Sequence, residues 1–311
     1  MENYKIRKLK DGEIVSLGFD MLFKKVFADD NNIERLEGLI GAWLNVDYKD
    51  IKGRVRLLNN QKPLENRKDK EQEYDIVGYI NLESGGIILN IEINMTKGSV
   101  LLRNFTYAAN MFSRQFNNKD DYKHASSLIQ LSFDNFEINE ENPRIVKHCY
   151  MRDEENKIVE ENFEVIHINI EKCREVWYHK DIESVNEEDR GLVLIGALLT
   201  LTNIEEFKLC MEDINMDEGI KENITDAVEE FSVDKDIYVA YDREKEKERI
   251  HRTDVLMAEE KGIKKGMEEG IKEGSKQKSV EIAKNLLKMN LSVDDISKAT
   301  NLSITEINSI K

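Results

Sequence analysis

The sequence YDIVGYINLESGGIILNIEIN, residues 74–94, decides the fold because it reads as a β-hairpin that carries acidic and amide side chains at fixed offsets. β-Branched, aromatic and aliphatic residues fill 75–82 and 87–95, which is typical of strands. Residues 83–86, with two consecutive glycines, supply the turn between them. The segment therefore predicts two adjacent antiparallel strands.

The length of the turn sets which side chains of the hairpin face each other. An even loop centred on 84–85 predicts that Asp75 lies opposite Asn94 and that Val77 lies opposite Glu92. Diagonal neighbours on one face are about 7 Å apart, so the two carboxylates could hold one divalent cation. An odd loop would turn the side chains of one strand to the other face.

Glu92 lies inside the apolar run 87–93, which is typical of a strand buried on both faces. A carboxylate in such a place must be paired, protonated or bound to a cation. The alternative is an ordinary half-exposed hairpin whose polar side chains face water.

Composition limits the function classes. The chain has 311 residues, 35% charged and 40% hydrophobic, and a formal net charge of -16, which fits a globular protein and opposes long-range attraction to nucleic acid. DNA binding would need a local basic groove or metal ions. Seven basic residues just before the hairpin are candidates, although interleaved acids also fit a solvated loop: Lys52, Arg54, Arg56, Lys62, Arg67, Lys68 and Lys70.

Cysteine and histidine spacing disfavours zinc, because Cys149, Cys173 and Cys210 are widely separated and the histidines show no ligand spacing with them. We expect reduced thiols and a cytoplasmic location. The longest apolar stretch, 191–201, is shorter than the roughly 20 residues that cross a bilayer, so no membrane association is expected.

Helices and further strands are predicted around the hairpin. Two short amphipathic helices occupy 18–45, a helix with polar positions Arg103, Tyr107, Arg114 and Gln115 occupies 98–116, and one apolar helix occupies 189–209. Strand candidates are 54–58, 126–136 and 163–170, with a hairpin segment around 144–159. This order predicts an α/β fold with a mixed sheet.

The chain from residue 242 onward differs in kind. Glycines recur every four residues at 262, 266, 270 and 274, which fits either closely approaching helices or a flexible linker. Ser292 and Ser303 each begin a helix-start pattern, so helices are predicted at 293–299 and 304–310. The last helix has few cations, so packing or oligomerisation is favoured over DNA reading.

Taken together, the residues resemble the PD-(D/E)XK nuclease family transposases, also called recombination-promoting nucleases. The resemblance rests on the segment DMLFKKVF from Asp20, Asp75, the segment NIEIN from Asn90, and Arg103, Tyr107 and Gln115 on the next helix. The tail with LSVDDISKATNLSITEINSI completes it. It implies a restriction-endonuclease-like core, a mixed β-sheet flanked by helices, with a helical C-terminal tail.

The resemblance implies a metal-dependent DNA endonuclease associated with recombination or mobile elements. Asp75, Glu92 and the Ile93 backbone carbonyl would hold Mg²⁺ or Mn²⁺, and Asn94 would position water. Arg103, Gln115 and Lys24 would contact phosphate or substrate. Asn94 stands where the family has glutamine and the wider fold lysine, and an amide cannot take a proton.

The expected organisation is a nuclease-like core at 1–210, a helical extension at 211–242, a Glu/Lys/Gly-rich helix or linker at 243–278 and a helix-turn-helix-like module at 279–311. The expected partner is DNA, with a homo-oligomer through the tail as a further expectation. The alternative function is a weakened or inactive family member that binds DNA or protein and self-associates.

Overall fold

The structure, a computed structural model, describes residues 9–58, 75–83, 85–116 and 125–310. The chain divides into two compact units, Met1–Asp242 and Arg243–Lys311. Within the described residues, no helix is both long and apolar enough to cross a membrane.

The first unit is built on a mixed β-sheet, which confirms the predicted α/β class. The described residues form six strands in the spatial order β1-β2-β3-β4-β6-β5. β3 runs parallel to β4 and β4 parallel to β6, whereas the other neighbours are antiparallel. The strands are β1 (Val55–Leu57), β2 (Ile76–Leu82), β3 (Gly85–Asn94), β4 (Ser127–Asp134), β5 (Val146–Arg152) and β6 (Ile158–Asn169).

The N-terminal helices are those that the periodicity predicts. α1 (Asp20–Phe27) and α2 (Ile33–Leu44) bury their apolar sides, and a 3₁₀ turn at Asp30–Asn32 joins them. Asn45 ends α2 in the left-handed conformation, which asparagine tolerates better than most residues. A short helix, α3 (Tyr48–Ile51), leads into β1.

The two faces of the sheet are covered differently. The aliphatic face, with Leu89, Ile91 and Phe133, packs in the main core with α2 and the later helix α6 (Arg190–Leu198). The opposite face carries polar side chains, and α4 (Val100–Ser113) packs on it over β4 and β6. Side chains alternate along a strand, so β3 contributes to both layers.

The apolar segment at 189–209, predicted as one helix, is two helices, and that prediction is wrong. α6 is followed by α7 (Ile204–Asp213), whose first turn is capped because Asn203 accepts hydrogen bonds from the backbone N–H groups of Glu205 and Glu206. Backbone carbonyls in the break, including that of Leu199, bond the N-terminal segment instead of continuing a helix. A helix that the sequence analysis lacks, α5 (Ile170–Tyr178), follows β6.

Residues 211–242 pack in the same hydrophobic core as the residues before them. α8 (Glu218–Ser232) contributes several buried side chains to that core: Ile220, Ile224, Ala227 and Val228. Ile237 is buried in it as well.

The second unit consists of helices. α9 (Lys235–Lys288) extends through the glycine-rich segment, so residues 243–278 are helical, and close approach of a second helix along the glycines stays a prediction. α10 (Val293–Thr300) and α11 (Ile304–Ser309) follow at the predicted places. Ser292 caps α10, and Ser303 forms a complete capping box with Glu306. Ile296, Leu302 and Ile307 are among the residues of its small core.

Candidate active site

The register of the β2–β3 hairpin brings the two acidic residues to the same level of the sheet. Val77 pairs with Asn90 and Ile76 with Ile91, so the next position in register sets Asp75 opposite Glu92. The predicted pairs, Asp75 with Asn94 and Val77 with Glu92, are therefore wrong by two residues.

The turn explains this shift. Leu82 pairs with Gly85, so the loop is centred one residue earlier than the predicted centre at 84–85. The loop includes Ser84, which lies outside the described residues. The loop remains even in length. The acidic side chains therefore keep a common face, as expected.

Asp75 is held at the end of β2 by contacts from two other elements. Its Oδ2 accepts a 2.8 Å hydrogen bond from the backbone N–H of Ile93, and its Oδ1 lies 3.2 Å from Lys24 Nζ. Lys24 also pairs with Asp20 one helical turn away, at 2.8 Å. Burial and the nearby Asp20 charge raise the pKa of Asp75, against the opposing effect of the Ile93 N–H and Lys24.

Glu92 is almost completely buried, with 4% of its surface exposed. Its Oε1 accepts a hydrogen bond from Asn90 Nδ2 at 3.1 Å. Burial raises the pKa of Glu92, and the negative charge of Asp75 raises it further, whereas Asn90, Arg103 and Lys24 act in the opposite direction. The two carboxyl groups thus disfavour simultaneous ionisation unless further positive charge is present.

The donor set fits a hard divalent cation. Two carboxyl groups on neighbouring strands offer oxygen ligands, and Mg²⁺ binds through one or two carboxylates while water and substrate phosphate complete its shell. Among the described residues, no group of three or more histidine, cysteine, aspartate or glutamate side chains gathers into a ligand cluster. Protein ligation at this site would thus rest on Asp75, Glu92 and main-chain oxygen such as that of Ile93.

Asn94 lies on the same face but is engaged with neighbouring side chains. Its Nδ2 donates to Ser132 Oγ and to Asp134 Oδ1, each at 2.8 Å, and its Oδ1 accepts a hydrogen bond from Arg103. Asn94 is 3% exposed. Positioning a water molecule through this amide would require one of these contacts to break, so its predicted role stays a prediction.

Arg103 and Gln115 both lie on or just after α4, but at different distances from the carboxyl pair. The Arg103 guanidinium contacts Asn94 and is close enough to Glu92 to lower its pKa. Gln115 bonds the backbone of Ser126 through both ends of its amide, at 3.0 and 2.8 Å. Ser126 is six residues before Ser132, the partner of Glu92 on β4, which corresponds to about 20 Å along a strand. The structure brings Arg103 to the pair and leaves Gln115 apart.

A polar row on β4 belongs to the site and is missing from the sequence analysis. Gln130, Ser132 and Asp134 alternate with apolar residues and are all buried beneath α4. The sequence contains the pattern that predicts this row, because polar residues at every second position indicate one face of a strand. Their partners lie on other strands, which the pattern does not identify.

Arg56 of β1 and Arg54, directly before that strand, lie on the face that carries Asp75. Arg56 pairs in register with Tyr79, and its guanidinium lies 4.7 Å from the centre of that ring. Arg54, Arg56, Tyr79 and Asn81 line an open cavity of about 390 Å³ together with Gly53 and Val55. Four members of the predicted basic cluster lie outside the described residues: Lys62, Arg67, Lys68 and Lys70.

Residues 18–259 match the family model described as PD-(D/E)XK nuclease family transposase. This match spans the carboxyl pair, α4 and the whole sheet. Comparison with curated proteins and with solved structures gives no match.

Proposed function

The chain belongs to the PD-(D/E)XK nuclease family transposases, and from that premise we propose that it hydrolyses DNA phosphodiester bonds with the help of a divalent cation. The observation that supports the proposal is the pairing of Asp75 and Glu92. Two buried carboxyl groups with raised pKa values are unfavourable by themselves and become favourable when a cation binds.

Asp75, Glu92 and the backbone carbonyl of Ile93 would hold Mg²⁺ or Mn²⁺. When bound, such a cation supplies positive charge that stabilises the charge developing on the scissile phosphate. The residues themselves keep two oxygen donors fixed on adjacent strands, because the Ile93 N–H holds one Asp75 oxygen and Asn90 holds one Glu92 oxygen. A site on rigid strands retains its geometry better than one on loops.

Among the described residues, two side-chain cations flank the carboxyl pair and would orient the phosphate. Lys24 approaches from α1 on the Asp75 side, and Arg103 approaches from α4 on the Glu92 side. Arginine suits the bidentate recognition of phosphate oxygens, whereas lysine acts as a point charge. Phosphate binding by these two cations does not require a proton acceptor at position 94.

The substrate would be DNA, bound along the open face beside the pair. Arg54 and Arg56 are on that face, and Tyr79 lies four residues along β2 from Asp75, which corresponds to about 13 Å. That distance is close to four phosphate steps of one DNA strand along the helix axis. A local basic surface reconciles DNA binding with a net charge of -16.

Nicking of supercoiled plasmid tests this function. Wild-type protein with Mg²⁺ or Mn²⁺ is expected to nick the plasmid, and Asp75→Ala is expected to abolish nicking while the circular dichroism spectrum is unchanged. Glu154→Ala is the matched control, because Glu154 is an exposed acid on the β5–β6 connection. Equal nicking by wild type and Asp75→Ala would remove the assigned site.

A second candidate function, self-association without catalysis, is favoured by one observation on α9. Gly262, Gly266, Gly270 and Gly274 lie in this helix, and nothing in the described residues comes within 4 Å of a Cβ built at any of them. Each helical glycine costs about 1 kcal/mol relative to alanine, so close approach by a second helix would offset that cost. Dimers that disappear when residues 243–311 are deleted, with no cation binding by the full chain, would favour this function.

A further inference from the structure

A second buried polar cluster lies beside the carboxyl pair, on the next strands of the same face. Asn94 pairs in register with Asp134 on β4, and Ser132 pairs with His167 on β6. Asp134 is 1% exposed and His167 is 5% exposed. The proposed reaction makes no use of either residue.

Every hydrogen bond described for the Asp134 side chain goes to a neighbour within this cluster. Its Oδ1 accepts hydrogen bonds from Ser132 Oγ at 2.9 Å and from Asn94 Nδ2 at 2.8 Å, and its Oδ2 lies 2.9 Å from His167 Nδ1. Asn104 of α4 donates to Ser132 Oγ at 2.6 Å, so the helix is tied to the same cluster. A buried carboxyl group with three such partners is fixed in position.

The hydrogen bonds of the cluster lead from Asp134 through Asn94 to the cation of Arg103. The amide of Asn94 uses its Nδ2 on Ser132 and Asp134, which fixes the orientation of its Oδ1. That Oδ1 receives the Arg103 guanidinium, and Arg103 is the α4 cation whose charge reaches Glu92. Rotating Asn94 by exchanging its oxygen and nitrogen would point two donors at Arg103.

We propose that Asp134 and His167 are positioning residues that hold Asn94, and through it Arg103, beside the carboxyl pair. This inference rests on the proposed function for its consequence in catalysis, whereas the placement of Arg103 is independent of it. Asparagine at position 94 then bridges a buried carboxylate to an arginine. A lysine in its place could not accept the hydrogen bond from Arg103.

The ¹⁵N NMR signals of the Arg103 guanidinium report directly on the contacts that link His167, Asp134, Asn94 and Arg103. In the wild type, the hydrogen bond to Asn94 restricts rotation of the guanidinium, so Arg103 gives resolved, slowly exchanging signals. Asp134→Asn weakens the acceptor of the Asn94 amide, and His167→Asn removes the partner that holds Asp134, so both variants are expected to loosen Asn94 and to average those signals. The control Val165→Ala truncates a buried residue in the same α4 interface that is not one of the hydrogen-bonded residues. It is expected to leave the signals resolved.

A double-mutant cycle on plasmid cleavage separates positioning from general destabilisation. Asp134→Asn is expected to lower kcat by about tenfold or more, in line with the loss of a partner that orients a functional group. The same substitution in an Arg103→Gln background is expected to have no further effect.

Resolved Arg103 signals in both Asp134→Asn and His167→Asn would overturn the inference, as would effects that multiply in the cycle. If the wild type does not cleave DNA, the NMR experiment still decides the placement of Arg103, so failure of the proposed function and failure of this inference are distinguishable.

Discussion

Asp75 accepts a 2.8 Å hydrogen bond from the backbone N–H of Ile93, the residue directly after Glu92. This bond attaches the carboxyl group directly before β2 to β3, the strand that carries the other acid. Both acids are therefore positioned by β3, and a shift of that strand would move them together.

Replacement of Lys24 separates cation binding from catalysis. Lys24→Gln removes a positive charge that competes for Asp75, so the divalent cation should bind more tightly, by up to about fivefold for an interaction of about 1 kcal/mol. Cleavage should nevertheless fall, by about a hundredfold, because a cation that orients the phosphate is lost. Calorimetry and plasmid nicking measure the two effects, and Lys25→Gln, on the same helix, is the control. Weaker cation binding by Lys24→Gln would contradict this role.

Stability of the metal-free protein should fall as the pH rises. The pKa of Glu92 is raised in the folded state, so between the ordinary glutamate value, about 4.3, and the raised value the folded protein binds more protons than the unfolded chain. Glu92→Gln removes this difference and should stabilise the protein by about 1–3 kcal/mol at pH 8 and less at pH 5.

Urea unfolding in the presence of a chelator at both pH values measures that change in the free energy of unfolding. Glu155→Gln serves as the control, because Glu155 is exposed. The prediction is contradicted if the difference in the free energy of unfolding between wild type and Glu92→Gln does not grow with pH. The pKa of Glu92 would then not be raised in the folded protein.

The salt dependence of DNA binding should identify the basic surface formed by Arg54 and Arg56. Each phosphate contact contributes about 0.9 to the slope of log K against log salt concentration, so Arg56→Gln should reduce that slope by up to this amount. Arg54→Gln should act in the same way. Lys49→Gln removes an equal charge from an exposed lysine outside the cavity and should leave the slope unchanged. Chelator in the buffer prevents cleavage during the titration.

Substitutions in the glycine stripe of α9 should have opposite effects on the helix and on association. Gly266→Ala and Gly270→Ala each favour the helix by about 1 kcal/mol in the monomer, because alanine restricts the unfolded chain. The added methyl groups would also block close approach of a second helix. Sedimentation of the full chain should show weaker association for these variants and no change for Glu268→Ala. Identical sedimentation of all the variants would leave the glycines without a packing role.

Much of the fold could be predicted from periodicity. The apolar spacing in 18–45 gave α1 and α2, and the Ser303 and Glu306 pattern gave the start of α11, because these signals are local. The break between α6 and α7 has no glycine or proline at 199–203. Its cause is the Asn203 cap and the backbone bonds of the break, so apolar continuity alone was misleading.

The site was only partly readable for a related reason. The burial of Glu92 followed from its apolar neighbours, whereas the exact register depended on a turn whose centre several residues could supply. Asp134 and His167 are 33 residues apart and meet only through parallel pairing of β4 and β6. Local periodicity predicts which face of a strand a residue lies on. Which residues meet across strands depends on the strand order and register of the whole sheet.

The central claim, that Asp75 and Glu92 together hold one divalent cation, is tested most directly by isothermal calorimetry with Mg²⁺ and Mn²⁺ at neutral pH. The wild type should bind the cation with release of protons, because the pKa values of both carboxyl groups are raised and bound metal requires their ionised forms. Asp75→Asn and Glu92→Gln should each abolish that binding while the protein stays folded. Undiminished binding by both variants, or none by the wild type, would contradict the account.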